Sequence, residues 1–97
     1  MEMRFKKGTF MLKEGVADLV AFEEPIRPKL QKIIDWATEN GIGLKFGTSE
    51  DNTYLCEYDV VCRTNQLCAG YVSELKAMLK ELFPKVSRIR EWSGTCW

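Results

Sequence analysis

The chain has 97 residues, of which 45% are hydrophobic, and its 14 lysines and arginines balance 14 aspartates and glutamates. This is enough apolar material for one core, so we expect a single domain spanning residues 1–97. The formal net charge of zero argues against a protein whose main partner is nucleic acid or an anionic membrane, because both usually require a basic excess.

The N-terminal part of the chain contains two candidate strands. Residues 3–12 (MRFKKGTFML) have strand-like side chains interrupted by Lys6, Lys7 and Gly8. Because lysines suit the exposed edge of a sheet, we expect a short edge strand or an ordered arm there, as an optional addition to the fold. Residues 16–22 (VADLVAF) form a near-continuous apolar run, which is typical of a central strand.

A helix followed by a strand is predicted next. Glu23 and Glu24 precede Pro25, and acids at this position complement the dipole of a helix that begins there. The apolar stripe of this helix is Ile26, Leu30, Ile33, Ile34 and Ala37. Asn40 and Gly41 are a typical C-cap. Residues 42–47 alternate between apolar and other side chains, which predicts a strand with one buried face, and the polar residues 48–52 predict a hairpin.

The strongest pattern in the chain is a long alternating strand, residues 53–63, followed by an amphipathic helix. We expect one face of the strand against the helices, namely Tyr54, Cys56, Tyr58, Val60 and Cys62. The other face should be open, and it carries Leu55, Glu57, Asp59, Val61 and Arg63. Thr64 or Asn65 can cap the helix. Its stripe comprises Leu67, Cys68, Tyr71, Val72, Leu75, Met78, Leu79 and Leu82, and Pro84 ends it.

The last element is a strand over residues 86–92, followed by a tail that ends in Cys96 and Trp97. The order β-α-β-β-α-β predicts an α+β domain of the ferredoxin-like class, with two helices on one face of an antiparallel sheet and an optional extra N-terminal strand. The alternative is an α+β sandwich in which the N-terminal segment pairs as a full fifth strand. Either fold hosts many unrelated functions.

Four cysteines, Cys56, Cys62, Cys68 and Cys96, invite a disulfide or zinc interpretation. Six residues of extended strand separate Cys56 from Cys62 by roughly 20 Å, so these two cannot pair. The spacing also lacks the close cysteine pairs of a zinc site, and the chain has no histidine. We therefore expect Cys56, Cys62 and Cys68 to be buried and inert, with Cys96 exposed near the terminus.

The sequence offers little catalytic equipment. Without histidine the commonest general base is missing, and no phosphate-binding glycine motif occurs. Glu57 and Asp59 lie ~7 Å apart on one strand face and could hold Mg²⁺ with a third ligand, although cross-strand pairing with Lys45 or Arg63 explains them more simply. We expect no enzyme and no cofactor; a metal-dependent enzyme using these two carboxylates is one alternative. Both acids are also candidate partner-binding residues.

The favoured function is protein binding. Arg88, Arg90 and Trp92 share a strand parity that excludes Ile89, so we expect them to point away from the core, with Trp97 following them. Tryptophan and arginine are over-represented among interface anchors. We predict a non-enzymatic domain that acts stoichiometrically on a larger protein or complex as an inhibitor or adaptor, for example a small virus- or plasmid-borne anti-defence protein. A homodimer through the open sheet face or an edge strand is a further expectation.

Nucleic-acid binding is the other alternative. It would use the two basic terminal segments, which become neighbours if the first and last strands pair: Arg4, Lys6 and Lys7 in one, Lys85, Arg88 and Arg90 in the other. Against it, Tyr54 and Tyr58 fall on the face assigned to the core rather than on the open face where bases would stack. No apolar run reaches the ~18 residues of a membrane span and no secretory signal pattern is seen, so we predict a cytoplasmic protein without membrane partners.

Overall fold

The computed structural model describes residues 2–13, 27–48, 54–83 and 85–96, which form a four-stranded antiparallel sheet and two helices. The strands are β1 (Met3–Lys13), β2 (Gly43–Thr48), β3 (Tyr54–Cys62) and β4 (Lys85–Cys96). The helices are α1 (Arg27–Glu39) and α2 (Asn65–Leu82). The strands lie in the order β2-β3-β1-β4, so β3 and β1 are central. The α+β prediction is thereby confirmed, whereas the finer ferredoxin-like assignment stays a prediction.

The position of β1 corrects the sequence analysis. This strand of 11 residues lies between β3 and β4, so it is neither an edge strand nor an arm. Its lysines suggested an edge, but acids on the neighbouring strands pair with them: Lys6 with Glu91 at 3.5 Å and Lys7 with Asp59 at 3.9 Å. Phe10 is completely buried. The apolar run 16–22, predicted as a central strand, lies outside the described residues.

One hydrophobic core lies between the helices and one face of the sheet. The sheet contributes Phe10, Leu12, Tyr54, Cys56, Tyr58, Val60 and Val86. The helices contribute Leu30, Ile33, Ala37, Cys68, Val72, Leu75 and Leu79. The inward face predicted for β3 is confirmed, since its buried residues alternate. Full burial of an aliphatic or aromatic side chain stabilises the fold by about 1.5–3 kcal/mol, so these alternating residues fix which face of the sheet the helices cover.

Two of the predicted helix-end signals are confirmed, whereas Glu23, Glu24 and Pro25 before α1 and Pro84 after α2 lie outside the described residues. The Thr64 hydroxyl accepts a hydrogen bond from the Leu67 amide at 3.1 Å, which identifies Thr64 as the N-cap of α2. Gly41 ends α1 with a positive φ of 69°, a conformation that glycine adopts without strain. Leu67 departs from the predicted stripe because it lies in the first turn of α2 and is exposed, while Cys68 beside it is buried.

A β-bulge in β4 changes which face its residues occupy. The register passes from Phe10 opposite Arg88 to Thr9 opposite Arg90, so Ile89 is an inserted residue. Directly opposed residues point to the same face of a sheet, which puts Arg88 on the helix-covered face with Phe10 and Arg90 on the open face with Thr9. The prediction that Arg88 and Arg90 share an outward face is therefore wrong for Arg88. A simple alternation cannot anticipate an inserted residue.

Strand β4 is also longer than predicted. Its pairing with β1 continues to Cys96, which lies opposite Met3, so residues 93–96 belong to the strand and not to a tail. An antiparallel strand extends as far as its partner supplies hydrogen bonds, and here β1 begins at Met3. Trp97 lies outside the described residues.

Gly8 is a position at which the neighbouring strands leave no room for a side chain on β1. It lies opposite Tyr58 on β3 and Glu91 on β4. A Cβ atom here would overlap the carbonyl oxygen of Arg90 and lie 2.6 Å from the hydroxyl oxygen of Tyr58. The missing side chain lets the tyrosine ring pass over β1, so that its hydroxyl donates a hydrogen bond of 3.0 Å to Glu91 Oε2.

We expect Gly8→Ala to lower the free energy of unfolding by about 1–3 kcal/mol, because the added methyl group displaces either the β4 backbone or the Tyr58 ring. Urea unfolding followed by circular dichroism measures this change. Gly47→Ala on β2 is the matched control, since a Cβ atom there meets nothing within 4 Å. Its effect should stay within about 1 kcal/mol. Equal losses in the two variants would contradict the role given to Gly8.

Candidate functional site

The face of the sheet opposite the helices, here the open face, carries a shallow depression of about 500 Å³. All four strands contribute to it. Within the described residues, neither helix packs on this face, because the core lies on the other one. We define the open-face site as six side chains that line the depression: Lys7, Lys45, Glu57, Asp59, Arg90 and Trp92.

Pairing between strands arranges these side chains in two rows across the sheet. One row is Lys45, Glu57, Thr9 and Arg90; the other is Gly43, Asp59, Lys7 and Trp92. In the first row the acid on β3 lies between Lys45 and, beyond Thr9, Arg90. In the second row the acid is next to Lys7. The site therefore has an acidic centre on β3 with basic residues on the strands to either side.

Asp59 is the most unusual member of the site. Its Oδ2 atom lies 3.9 Å from Lys7 Nζ, and since both side chains are about half exposed this ion pair contributes no more than about 1 kcal/mol. Its Oδ1 atom is buried and accepts no hydrogen bond from the described residues. Such an acceptor is costly to leave unpaired, so this carboxylate is a source of local instability in the sheet.

An aromatic anchor lies beside these charges. The Trp92 side chain is 48% exposed, and the guanidinium carbon of Arg90 lies 4.6 Å from the centre of the tryptophan ring. A cation–π contact of this kind holds both side chains in one orientation. Val61, another exposed hydrophobic residue, lies opposite Phe5 on the same face. The open face thus combines an apolar area with charges that are already ordered.

Four of the six partner-binding residues predicted from the sequence are brought together in this site: Glu57, Asp59, Arg90 and Trp92. Arg88 is not among them, because the bulge directs it to the helix-covered face, where its guanidinium lies 3.2 Å from Glu91. Trp97 lies outside the described residues. Lys7 was missed because its strand was assigned to an edge. Lys7 can be recognised as a neighbour of Asp59 only when the register between β1 and β3 is known.

On the helix-covered face, Glu91 forms a polar cluster of its own. It accepts a hydrogen bond from Tyr58 at 3.0 Å and lies 3.5 Å from Lys6 Nζ and 3.2 Å from Arg88. Partial burial alone would raise the pKa of Glu91, but the hydrogen bond from Tyr58 and the charges of Lys6 and Arg88 outweigh it and hold the pKa below its ordinary value of 4.5. Burial and the bond to Glu91 raise the pKa of Tyr58, which stays neutral.

This arrangement divides the basic segments on which a nucleic-acid interface would depend. Strands β1 and β4 do pair, so the two terminal segments are neighbours. However, Lys6 and Arg88 lie on the helix-covered face beside Glu91, whereas Lys7 and Arg90 lie on the open face near the two acids of β3. Among the residues that the structure describes, neither face presents the continuous basic surface that phosphate binding favours.

Among the described residues, no group of three or more histidine, cysteine, aspartate or glutamate side chains could hold a metal ion. Glu57 and Asp59 instead face Lys45 and Lys7 across the strands. Over the same ranges, neither helix combines the length and the hydrophobicity needed to cross a bilayer.

Comparisons with known proteins bear on the fold alone. No family model matches the chain, and no curated protein is significantly similar to it. A solved structure described as "De novo designed protein Foldit4" is similar, with a TM-score of 0.53 and 9% sequence identity over 100% of this chain and 98% of that chain. At this identity the similarity supports the α+β architecture and carries no information about function.

The Glu91 cluster makes a pH-dependent contribution to stability. A carboxyl whose pKa is lowered by folding stabilises the protein above its unfolded pKa and loses that contribution as the pH falls through its folded pKa. We expect Glu91→Gln to lower the free energy of unfolding by about 1–3 kcal/mol at pH 7. The difference from the wild type should shrink steadily below pH 4.5.

Urea unfolding at a series of pH values tests this expectation. Glu57→Gln is the control, since Glu57 is an exposed glutamate on the open face of β3 and its replacement should cost less than about 1 kcal/mol. A loss at Glu91→Gln that is the same at pH 3 and pH 7 would reject the electrostatic role of this cluster.

Proposed function

We propose that this domain is a non-enzymatic protein-binding module that acts stoichiometrically on a larger protein or complex, as an inhibitor or adaptor, through the open-face site. One observation carries the proposal. Trp92, a large and half-exposed aromatic residue, is held by Arg90 on a sheet face that neither described helix covers. Tryptophan and arginine are among the residue types that most often dominate binding energy at protein interfaces.

The side chains of Arg90 and Trp92 are already held in place before a partner binds, which favours affinity. A side chain that is immobilised only on binding costs about 0.5–1.5 kcal/mol, and the contact between Arg90 and Trp92 removes part of this cost in advance. Both residues belong to β4, which is paired with the central strand β1 along its length. A partner would therefore meet a rigid anchor.

The charges of the site support selectivity. An acidic centre between basic residues fits a surface with the inverse arrangement, and like charges would repel other surfaces.

For the fold we propose the ferredoxin-like class. Its support is the chain order β-α-β-β-α-β of the described elements, together with two helices that share one core on the same face of an antiparallel sheet. This class hosts many unrelated functions, so it is compatible with the proposed function without determining it.

Affinity capture with matched variants tests the binding proposal. We expect wild-type protein, immobilised and exposed to an extract of the cells that make it, to retain a partner that Trp92→Ala retains at least about 10-fold less well. Arg90→Ala should also weaken capture. Arg88→Ala is the control, because it removes the same charge from the same strand on the other face of the sheet.

Quantitative mass spectrometry identifies and counts the captured proteins, and circular dichroism verifies that each variant is folded. A partner that all the variants retain equally, or that is lost with Arg88→Ala but not with Trp92→Ala, would contradict binding through the open-face site. Sedimentation of the purified wild type identifies the case in which the partner is a second copy of the chain.

A further inference from the structure

Two of the four cysteines converge at the junction between β3 and α2. Cys62 is the last residue of β3 and lies opposite Arg4 of β1. By the alternation of β3 it follows Val60 on the helix-covered face. Cys68 lies near the start of α2, and its Sγ atom is 3.4 Å from the carbonyl oxygen of Arg4 and 3.8 Å from that of Val60. Strand register and helix position thus bring both thiols to the same place on the sheet.

The two thiols interact there. Both cysteines are free, and the contact of Cys68 Sγ with the carbonyl oxygen of Arg4, the residue opposite Cys62, makes the two thiols neighbours. Partial burial and the neighbouring Cys68 raise the pKa of Cys62 above its ordinary value of 9.0. The sequence analysis treated Cys62 and Cys68 as separate, inert core residues. It did not predict that they are neighbours, because their proximity depends on the direction in which the first turn of α2 leaves the strand.

We propose that Cys62 and Cys68 form a redox-active dithiol, which a small-molecule disulfide such as oxidised glutathione converts into an intramolecular disulfide. The two residues differ in access, which assigns their roles. Cys62 is partly exposed and can meet the oxidant, whereas Cys68 has no exposed surface and can react only with a sulfur atom that is already inside the protein.

The exchange takes two steps. The Cys62 thiolate attacks one sulfur of oxidised glutathione; a protein–glutathione disulfide forms, the original disulfide breaks, and one glutathione thiolate leaves. Cys68 then loses its proton and attacks the Sγ atom of Cys62, which expels the second glutathione thiolate. Both cysteine protons end on the two glutathione molecules. The protein is oxidised by two electrons and one molecule of glutathione disulfide is reduced.

The remaining cysteines are excluded by position. Cys56 is fully buried, and along β3 it lies roughly 20 Å from Cys62. Burial, together with the charge of Glu57, raises the pKa of Cys56 to about 12. Cys96 lies opposite Met3 in the sheet, so it points to the open face and not toward Arg4 and the thiol pair. A disulfide confined to Cys62 and Cys68 is therefore expected.

Oxidised glutathione, added alone to the folded full-length protein at pH 8.5, tests the proposal. After acid quenching and alkylation, intact mass should show the loss of two hydrogen atoms. Trypsin cleaves after Arg63, between the two cysteines, so a linked pair of peptides identifies the bond. The reaction rate should rise with pH between pH 7 and pH 9, as the thiolate fraction of Cys62 rises.

Single variants separate the two roles. Cys68→Ser should accumulate a stable glutathione adduct on Cys62, and Cys62→Ser should leave Cys68 unmodified. Cys96→Ser is the control and should behave as the wild type does. A lasting adduct on Cys62 of the wild type, a bond that includes Cys56 or Cys96, or reaction only after urea is added would each overturn the proposal. Because the peptide map of the wild type needs no substitution, this test stands even where a serine variant fails to fold.

Discussion

The contact that the sheet most depends on is the one made across β1 at Gly8. Tyr58 on β3 and Glu91 on β4 are joined by a hydrogen bond of 3.0 Å that passes over the strand between them, and only a residue without a side chain leaves room for it. The ring of Tyr58 also stacks on Phe10, with 4.9 Å between the ring centres. Tyr58 of β3 therefore connects Phe10 of β1, which lies in the apolar core, with the carboxylate of Glu91 on β4.

The bulge at Ile89 has a comparable influence on the surface. Without the inserted residue, Arg88 and Arg90 would lie on one face and the sheet would present a stronger basic patch there. With it, Arg88 helps to neutralise Glu91 beside the core, and Arg90 holds Trp92 on the open face. A single inserted residue thus assigns one arginine to stability and the other to a candidate binding surface.

Local patterns in the sequence predicted the parts of the structure that local physics determines. The alternation of β3 and the caps at Thr64 and Gly41 are each readable within a few residues, and each is found as predicted. The stripe of α2 is found as well, apart from the exposed Leu67. The open-face position of Glu57 and Asp59 follows from the alternation of β3, so these two members of the candidate site were available from the sequence.

The rest depends on residues distant in the chain. The lysines of β1 look like edge residues until their partners Asp59 and Glu91 are known, and those lie more than fifty positions away. The bulge depends on how β4 fits against β1 and leaves no glycine or proline as a signal in residues 86–92. Predicting the proximity of Cys62 and Cys68 requires knowing how α2 is rotated about its axis relative to the end of β3. The spacing of the two cysteines in the sequence does not define this.

The pairing of β1 with β4 has a consequence for how the protein is made. Met3 lies opposite Cys96, so the central strand obtains one of its two neighbours from a segment that follows it by up to about ninety residues. During synthesis, β1 leaves the ribosome before β4, and Phe10 lacks its final environment in the meantime. Pairing between such distant segments carries a large loop-closure entropy and is typical of slow folding. The four-stranded sheet can therefore be completed only after β4 has been synthesised.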